Sequence, residues 1–525
     1  MPGVIAAGNS YTANAGAEML RLGGNAVDAA VAAAFASCLA EPALVNIGGS
    51  GIAQVFNPQT GQTTVYDFFS TMPGIGSEEG SGIIDFRRIY IDFGSARQPF
   101  YIGRASVAVP GLVKGLCQML AEVGSLPLAT VLAPAIELAR SGITLDAQQA
   151  HMIKLVSPIL LDTPELAAYF KRDGQLVQAG DVIRYPLLAN TLEQLAQQGP
   201  DLFYSGEIGR AIVQDQRRKG GFVTAKDLQA YEVHQVPPIE VPYRDYTLLL
   251  PSAASMGGVL IAFSLKLLSV HSLAGVKPHS LEHIRLLAEV MRLTNQARVS
   301  WDVKRNQEGA LDYFLSEAHL APYRRNLQTA LNGGTPSPDP KLPPPPPNTT
   351  HISVADQNGM IVALTHSPGE NAGFVLGNTG VTLNNMLGEM DLHPKGFHLL
   401  APGERLQTMM APVLALKDGR PVLAIGSGGS NRLRTAILQT VVNVIDFGMS
   451  LEQAILAPRV HFEEDVLQLE GGIEREVAVE LDMYQVNRWT ERSMFFGGAH
   501  AVAREGGQWV AAGDPRRGGS AVTVS

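Results

Sequence analysis

Five consecutive prolines, Pro343 to Pro347, stand immediately before Asn348-Thr349-Thr350-His351-Ile352-Ser353-Val354, and this junction divides the chain. Proline has no amide hydrogen to donate, so the stretch 335–348, with Pro336, Pro338 and Pro340 ahead of the run, is barred from helices and central strands. It reads as a stiff exposed linker or as a polyproline ligand for a partner domain. Beyond the junction the pattern changes to strands: Thr350 to Ala355 and Met360 to Ser367 flank Asn358-Gly359, a strong short hairpin signal. With a two-residue turn Gln357 faces Met360. Counting outward then sets Ser367 opposite Thr350, with its hydroxyl beside Thr349.

Upstream, Asn25 is a plausible N-cap for the alanine-rich run Ala26 to Ala40, which Glu41-Pro42 stops. Ile52 to Phe56 and Thr63 to Phe68 read as a hairpin turned at Asn57-Pro58-Gln59-Thr60-Gly61. From Leu112 to about Ala330 the pattern is mainly helical, with segments Leu126 to Leu138, Leu187 to Leu195 and Leu281 to Leu293, and Thr224 with Asp227 resembles a capping box. Downstream, Val422 to Ile425 reads as a buried strand running into Gly426-Ser427-Gly428-Gly429-Ser430-Asn431 and a helix from about Arg432 to Phe447. Such a loop points backbone N–H groups at whatever sits above the helix start; phosphate binding, an oxyanion hole and a plain tight turn all fit it.

Composition excludes several function classes. With 525 residues, 46% hydrophobic and 17% charged, the chain is that of an ordinary globular protein, and its net charge of -9 argues against a nucleic-acid partner. Cys38 and Cys117 sit in apolar contexts and read as buried free thiols; no structural zinc spacing exists. His351 and His366 read as outward or core histidines, because no third ligand is spaced for a metal. The first residues lack the charged and apolar regions of a secretory signal, and Ala26 to Ala40, interrupted by Asp28, is not a membrane span. The expectation is a cytoplasmic protein with no membrane association.

A set of spaced motifs from about Ala6 to Ser525 is similar to the γ-glutamyltranspeptidase family of N-terminal-nucleophile hydrolases. The motifs include Gly23-Gly24-Asn25-Ala26-Val27-Asp28-Ala29-Ala30, Val109-Pro110-Gly111, Gly220-Gly221, Tyr243-Arg244, Thr349-Thr350-His351, Leu383-Asn384-Asn385, Gly426-Ser427, Ala457-Pro458-Arg459 and Asp514-Pro515-Arg516. The resemblance implies an α+β fold, a four-layer αββα sandwich built by both pieces of a precursor that cuts itself between Asn348 and Thr349. The pieces would be a mostly helical large chain, 1–348, and a β-rich small chain, 349–525, associated as a heterodimer with a higher oligomer open. It implies no metal or organic cofactor.

The residues suit that chemistry on their own terms. A threonine hydroxyl needs a base, and an amino-terminal amine with a pKa of roughly 8 can serve once a cut frees it. Carried over from the family, Thr349 is nucleophile and base, Ser367 takes the place of a threonine that hydrogen-bonds it, and Gly429 and Ser430 fall on the paired oxyanion glycines. The substrate contacts depart from the pattern. Phe69 falls where an arginine grips the glutamyl α-carboxylate, Gly369 near an asparagine, Met386 on a glutamine, and Thr408 and Met409 on two serines, while Glu389 retains an acidic position and its charge.

A bidentate carboxylate clamp is thereby lost, and Arg405, Arg432 and His366 are the candidates to replace its charge. Phe69, Met386 and Met409 read equally as pocket walls or core, and Glu389 as a site acid or a solvated loop acid. Asp514 and Arg516 read as a structural ion pair. The functional expectation is an amidohydrolase or acyltransferase that cleaves γ-glutamyl amides such as glutathione through an acyl-enzyme. The alternatives are a relative acting on another small amide, such as oxamate or the acyl side chain of a β-lactam, and a non-catalytic scaffold.

Overall fold

The computed structural model describes residues 2–77, 83–92, 97–252, 254–334, 339 and 349–525. Asn348 and the proline run lie outside them, so the linker expected at 335–348 is described only at Asp339.

Thirteen strands form two antiparallel sheets. In chain order they are β1 (Gly3–Ala7), β2 (Ser50–Asn57), β3 (Gln62–Phe68), β4 (His234–Val236), β5 (Ile239–Tyr243), β6 (Tyr246–Leu250), β7 (Thr350–Asp356), β8 (Ile361–Ser367), β9 (Val413–Lys417), β10 (Arg420–Gly428), β11 (Gly498–Glu505), β12 (Gln508–Ala512) and β13 (Ser520–Val524). The first sheet runs β4-β3-β2-β8-β7-β1-β13 and the second β5-β6-β9-β10-β11-β12. Each draws strands from both sides of the proline run. The stretch 112–330, read as helical, thus also supplies β4, β5 and β6. Their short alternating patterns beside Pro237 and Pro238 carry little signal among longer helices.

Strand alternation distributes the apolar side chains over two faces. Ile352 and Val354 of β7 and Val362 and Leu364 of β8 pack with Val27, Val31 and Phe35 of helix α2 (Ala26–Ala40), which follows α1 (Ser10–Arg21). The opposite face of the same sheet, with Val4, Ala6, Ala355, Ile361 and Ala363, packs on Leu249, Leu414, Ala424 and Val502 of the second sheet. The far face of the second sheet, through Val413, Leu423 and Ile425, packs on helices α3 (Met256–Leu268), α4 (Leu281–Lys304) and α5 (Asn431–Ile445). Helix α2 is buried along its whole length, and Asn25 caps it as expected, in a capping box with Asp28; Thr224 and Asp227 form the capping box read from sequence. Among the described residues no helix is long and apolar enough to cross a membrane. Cys38 and Cys117 are buried free thiols.

The β7–β8 register differs from the two-residue expectation by one. The Asp356 N–H donates to the Met360 carbonyl at 3.0 Å, leaving Gln357-Asn358-Gly359 as a three-residue loop with Gly359 at φ +89. A glycine in the left-handed region closing a longer loop is the usual alternative to a two-residue turn. Thr350 consequently faces His366, and the next step outward brings Ser367 level with Thr349.

Candidate active site

Thr349 is the residue before β7, an interior strand of the first sheet, and is 7% exposed. Across the sheet interface β10 runs on through Gly428, three residues past the Ile425 end read from sequence, and α5 starts at Asn431. The close approach explains Gly428: a Cβ there would fall 2.2 Å from the Thr349 carbonyl oxygen. Gly429 at φ +119 and Ser430 at φ +52 and ψ -127 then reverse the chain into α5. For a serine that backbone costs about 1–3 kcal/mol, which the surrounding packing must hold. The Gly429 and Ser430 carbonyls accept from the N–H groups of Arg432 and Leu433 at 3.1 Å. Their own N–H groups find no acceptor among the described residues.

A cavity of about 370 Å³, its open mouth included, opens on Thr349. Of the residues anticipated from sequence, Phe69, Ser367, Gly369, Met386, Glu389, Thr408, Met409 and Ser430 line it together with Thr349. Gly429 adjoins it in the chain without lining it, and Asn348 lies outside the described residues. Four lining residues escaped the sequence reading: Asp391, Leu392, Met410 and Leu433. Each sits within three positions of an anticipated residue, the only signal available for them.

Local hydrogen bonds fix the walls. The Ser367 hydroxyl accepts from the Gly369 N–H at 3.0 Å, and Gly369, at φ +71, has Asn385 Oδ1 and Glu389 Oε1 where a Cβ would stand. Met386 is held by its N–H to Asn384 Oδ1 at 3.2 Å and by its carbonyl to His393 Nε2 at 3.1 Å. Thr408 Oγ1 accepts from the Met410 N–H at 3.2 Å, and the Ser430 hydroxyl donates to Asp391 Oδ2 at 3.2 Å.

The electrostatics correct two expectations. Glu389 is 1% exposed and not solvated: burial, with Asp391 beside it, pushes its carboxyl well above the usual range. Burial also raises Asp391, to about 6, against the pull of Arg298. No replacement cation enters: the described lining residues include neither lysine nor arginine. Arg405 turns behind the wall to the Phe69 carbonyl and, at 3.0 Å, the Tyr231 hydroxyl. Arg432 lies over the Phe495 ring at 4.5 Å, and His366, at 3.0 Å from the Ser37 hydroxyl, is pushed by burial down to about 3 and is neutral. His351 lies buried between the Thr365 and Ser353 hydroxyls at 2.8 Å. Asp514 pairs with Arg516 at 3.2 Å and Arg459 at 2.7 Å, the structural role expected of it.

The chain belongs to the gamma-glutamyltranspeptidase family, whose model matches residues 12–524. Among named relatives, the Acylase ACY 1 proenzyme of Pseudomonas sp. (strain SE83) is 33% identical over 516 residues, covering 95% of this chain and 89% of that protein. The glutathione hydrolase proenzyme of Escherichia coli (strain K12) is 29% identical over 504 residues, covering 90% of this chain and 83% of its own. In three dimensions the chain superposes on the cephalosporin acylase from Bacillus halodurans with a TM-score of 0.84 at 23% identity, covering 99% of this chain and 95% of the other. The Helicobacter pylori gamma-glutamyltranspeptidase gives a TM-score of 0.53 at 26% identity, covering 63% and 91%.

Proposed function

We propose that the chain is a proenzyme that cuts its own Asn348–Thr349 bond and then acts as a threonine amidohydrolase or acyltransferase on a small acyl amide other than a γ-glutamyl one. The carrying observation is the cavity on Thr349: its described lining combines six apolar side chains with two buried acids and offers no lysine or arginine to a glutamyl carboxylate. Burying a carboxylate without a cation or a full set of donors is costly. An uncharged acyl chain along Phe69, Met386, Leu392, Met409, Met410 and Leu433 meets no such cost.

Maturation begins when Thr349 Oγ attacks the Asn348 carbonyl carbon. The C–N bond breaks as the acyl group moves to oxygen, and water hydrolyses the ester to leave the Asn348 carboxylate and the Thr349 amine. That amine accepts the Oγ proton as Thr349 attacks a substrate amide, and the proton passes to the departing nitrogen. Water or an amine then resolves the acyl-enzyme. Ser367 orients the nucleophile, and the Gly429 and Ser430 N–H groups receive the oxyanion in both reactions, each donor contributing about 3 kcal/mol. The two pieces, 1–348 and 349–525, stay together as a heterodimer. The two packed sheets with helices on their outer faces are read as the αββα sandwich of N-terminal-nucleophile hydrolases.

A second reading, γ-glutamyl amides such as glutathione, is favoured by Glu389 and Asp391, a buried acid pair suited to an ammonium group. Intact-mass analysis tests maturation: wild type is expected as two pieces split before Thr349, and Thr349→Ala as one uncut chain. An uncut wild type, or Thr349→Ala split at the same bond, overturns the enzyme reading in favour of a scaffold. Release from an uncharged acyl anilide is then compared with release from a γ-glutamyl anilide, and faster γ-glutamyl turnover selects the second reading.

A further inference from the structure

Arg517 packs against the Gly428–Gly429 backbone that Thr349 approaches. It closes the short turn Pro515–Arg517, from which Arg516 goes to Asp514 and Glu470, while Arg517 takes another path and is 5% exposed. Its stem crosses β11 at Gly498, where a Cβ would fall 2.6 Å from its Cδ. Its guanidinium reaches over β10: Nη1 lies 3.5 Å from the point a Gly428 Cβ would occupy, and Nη2 lies 3.3 Å from the corresponding point at Gly429. The Thr349 carbonyl oxygen lies 2.2 Å from that same point at Gly428. Gly428, Gly429 and Gly498 thus form a slot that one arginine fills, and the groups facing its charge are Glu370, Asp514 and Arg432. Glycine in adjacent strands gives up packing, which is recovered when another group occupies the space.

We propose that Arg517 is a positioning residue for the reactions at Thr349, filling the slot at Gly428, Gly429 and Gly498, fixing that backbone and adding positive charge beside it. The proposal rests on the reading of Thr349 given above. In a water-excluded site a fixed charge beside the donors favours the negative charge that develops on the attacked carbonyl oxygen. It acts through the backbone.

The test is the time course of self-cleavage in freshly translated chain, followed by intact mass. Arg517→Ala is expected to slow the cut about tenfold or more. Millimolar guanidinium chloride is expected to restore the rate, where equal sodium chloride or urea does not, and Arg517→Lys to be intermediate. Thermal melting of both variants checks that they fold. Arg517→Ala cutting at the wild-type rate overturns the proposal. A slow Arg517→Ala that guanidinium does not rescue, with Arg517→Lys equally slow, also overturns it and leaves packing alone. An uncut wild type sinks the reading of Thr349 and this proposal together, whereas a cut wild type with an indifferent Arg517→Ala sinks only this one.

Discussion

Asp391 is held among apolar side chains with the Ser430 hydroxyl as a donor, and this sets how its charge responds to pH. Its carboxyl is raised by burial to about 6. The folded protein keeps a proton there that the unfolded chain releases near pH 4. This contribution to stability is therefore complete below about pH 4 and is lost as pH rises through 6. Asp391→Asn retains an acceptor for Ser430 but does not titrate. Relative to wild type it should gain stability between about pH 4 and 6, on the order of 3 kcal/mol, and hold the gain above that. Denaturant melts at pH 4, 5, 6 and 7 check this; a difference that is flat across the series contradicts it. Asp391 also marks where sequence reading ran out. Thr349 and Ser367 carried motif and spacing, whereas Asp391 and Leu392 belong to an irregular loop with no period, and only the folded chain brings them to the cavity on Thr349.

At the scale of elements, two glycines that look alike in sequence serve different ends. Gly359, at φ +89, has only Pro58 Cβ, at 3.9 Å, near its missing side chain. Alanine there pays for a left-handed backbone, about 1 kcal/mol, and self-cleavage should proceed at the wild-type rate. Gly428 has no positive φ to explain it; its space is taken by the Thr349 carbonyl oxygen at 2.2 Å. Alanine at 428 must part β10 from the start of β7, at a cost of about 1–3 kcal/mol, and the cut before Thr349 should fail. Thermal melts with intact mass on both variants separate the two: similar losses of stability are expected with opposite outcomes for cleavage. The hairpin itself was legible from Asn358-Gly359, but its register was not. Loop length is settled by which residue takes the left-handed conformation, and one step reverses every side chain.

At the scale of the whole molecule, the sheets determine what a cut at residue 348 does. Strand β1 pairs with β7 on one side and β13 on the other, so the first strand of the chain is flanked by two from beyond the proline run. Strand β2 pairs with β8, and β6 with β9, in the same crossing fashion. Neither piece has either of the two large sheets whole or a closed core of its own, because each apolar cluster between and outside these sheets draws on both. Separating the pieces would expose unpaired central strand edges together with their apolar faces, which is unfolding rather than dissociation. The cleaved protein should therefore give two bands on a denaturing gel and one species of about 56 kDa per heterodimer, or a multiple of that, by native mass spectrometry. Dilution should not separate the pieces, and denaturant should release them in the same transition that abolishes the far-UV signal. Release of the small piece before that transition would contradict the interleaved architecture.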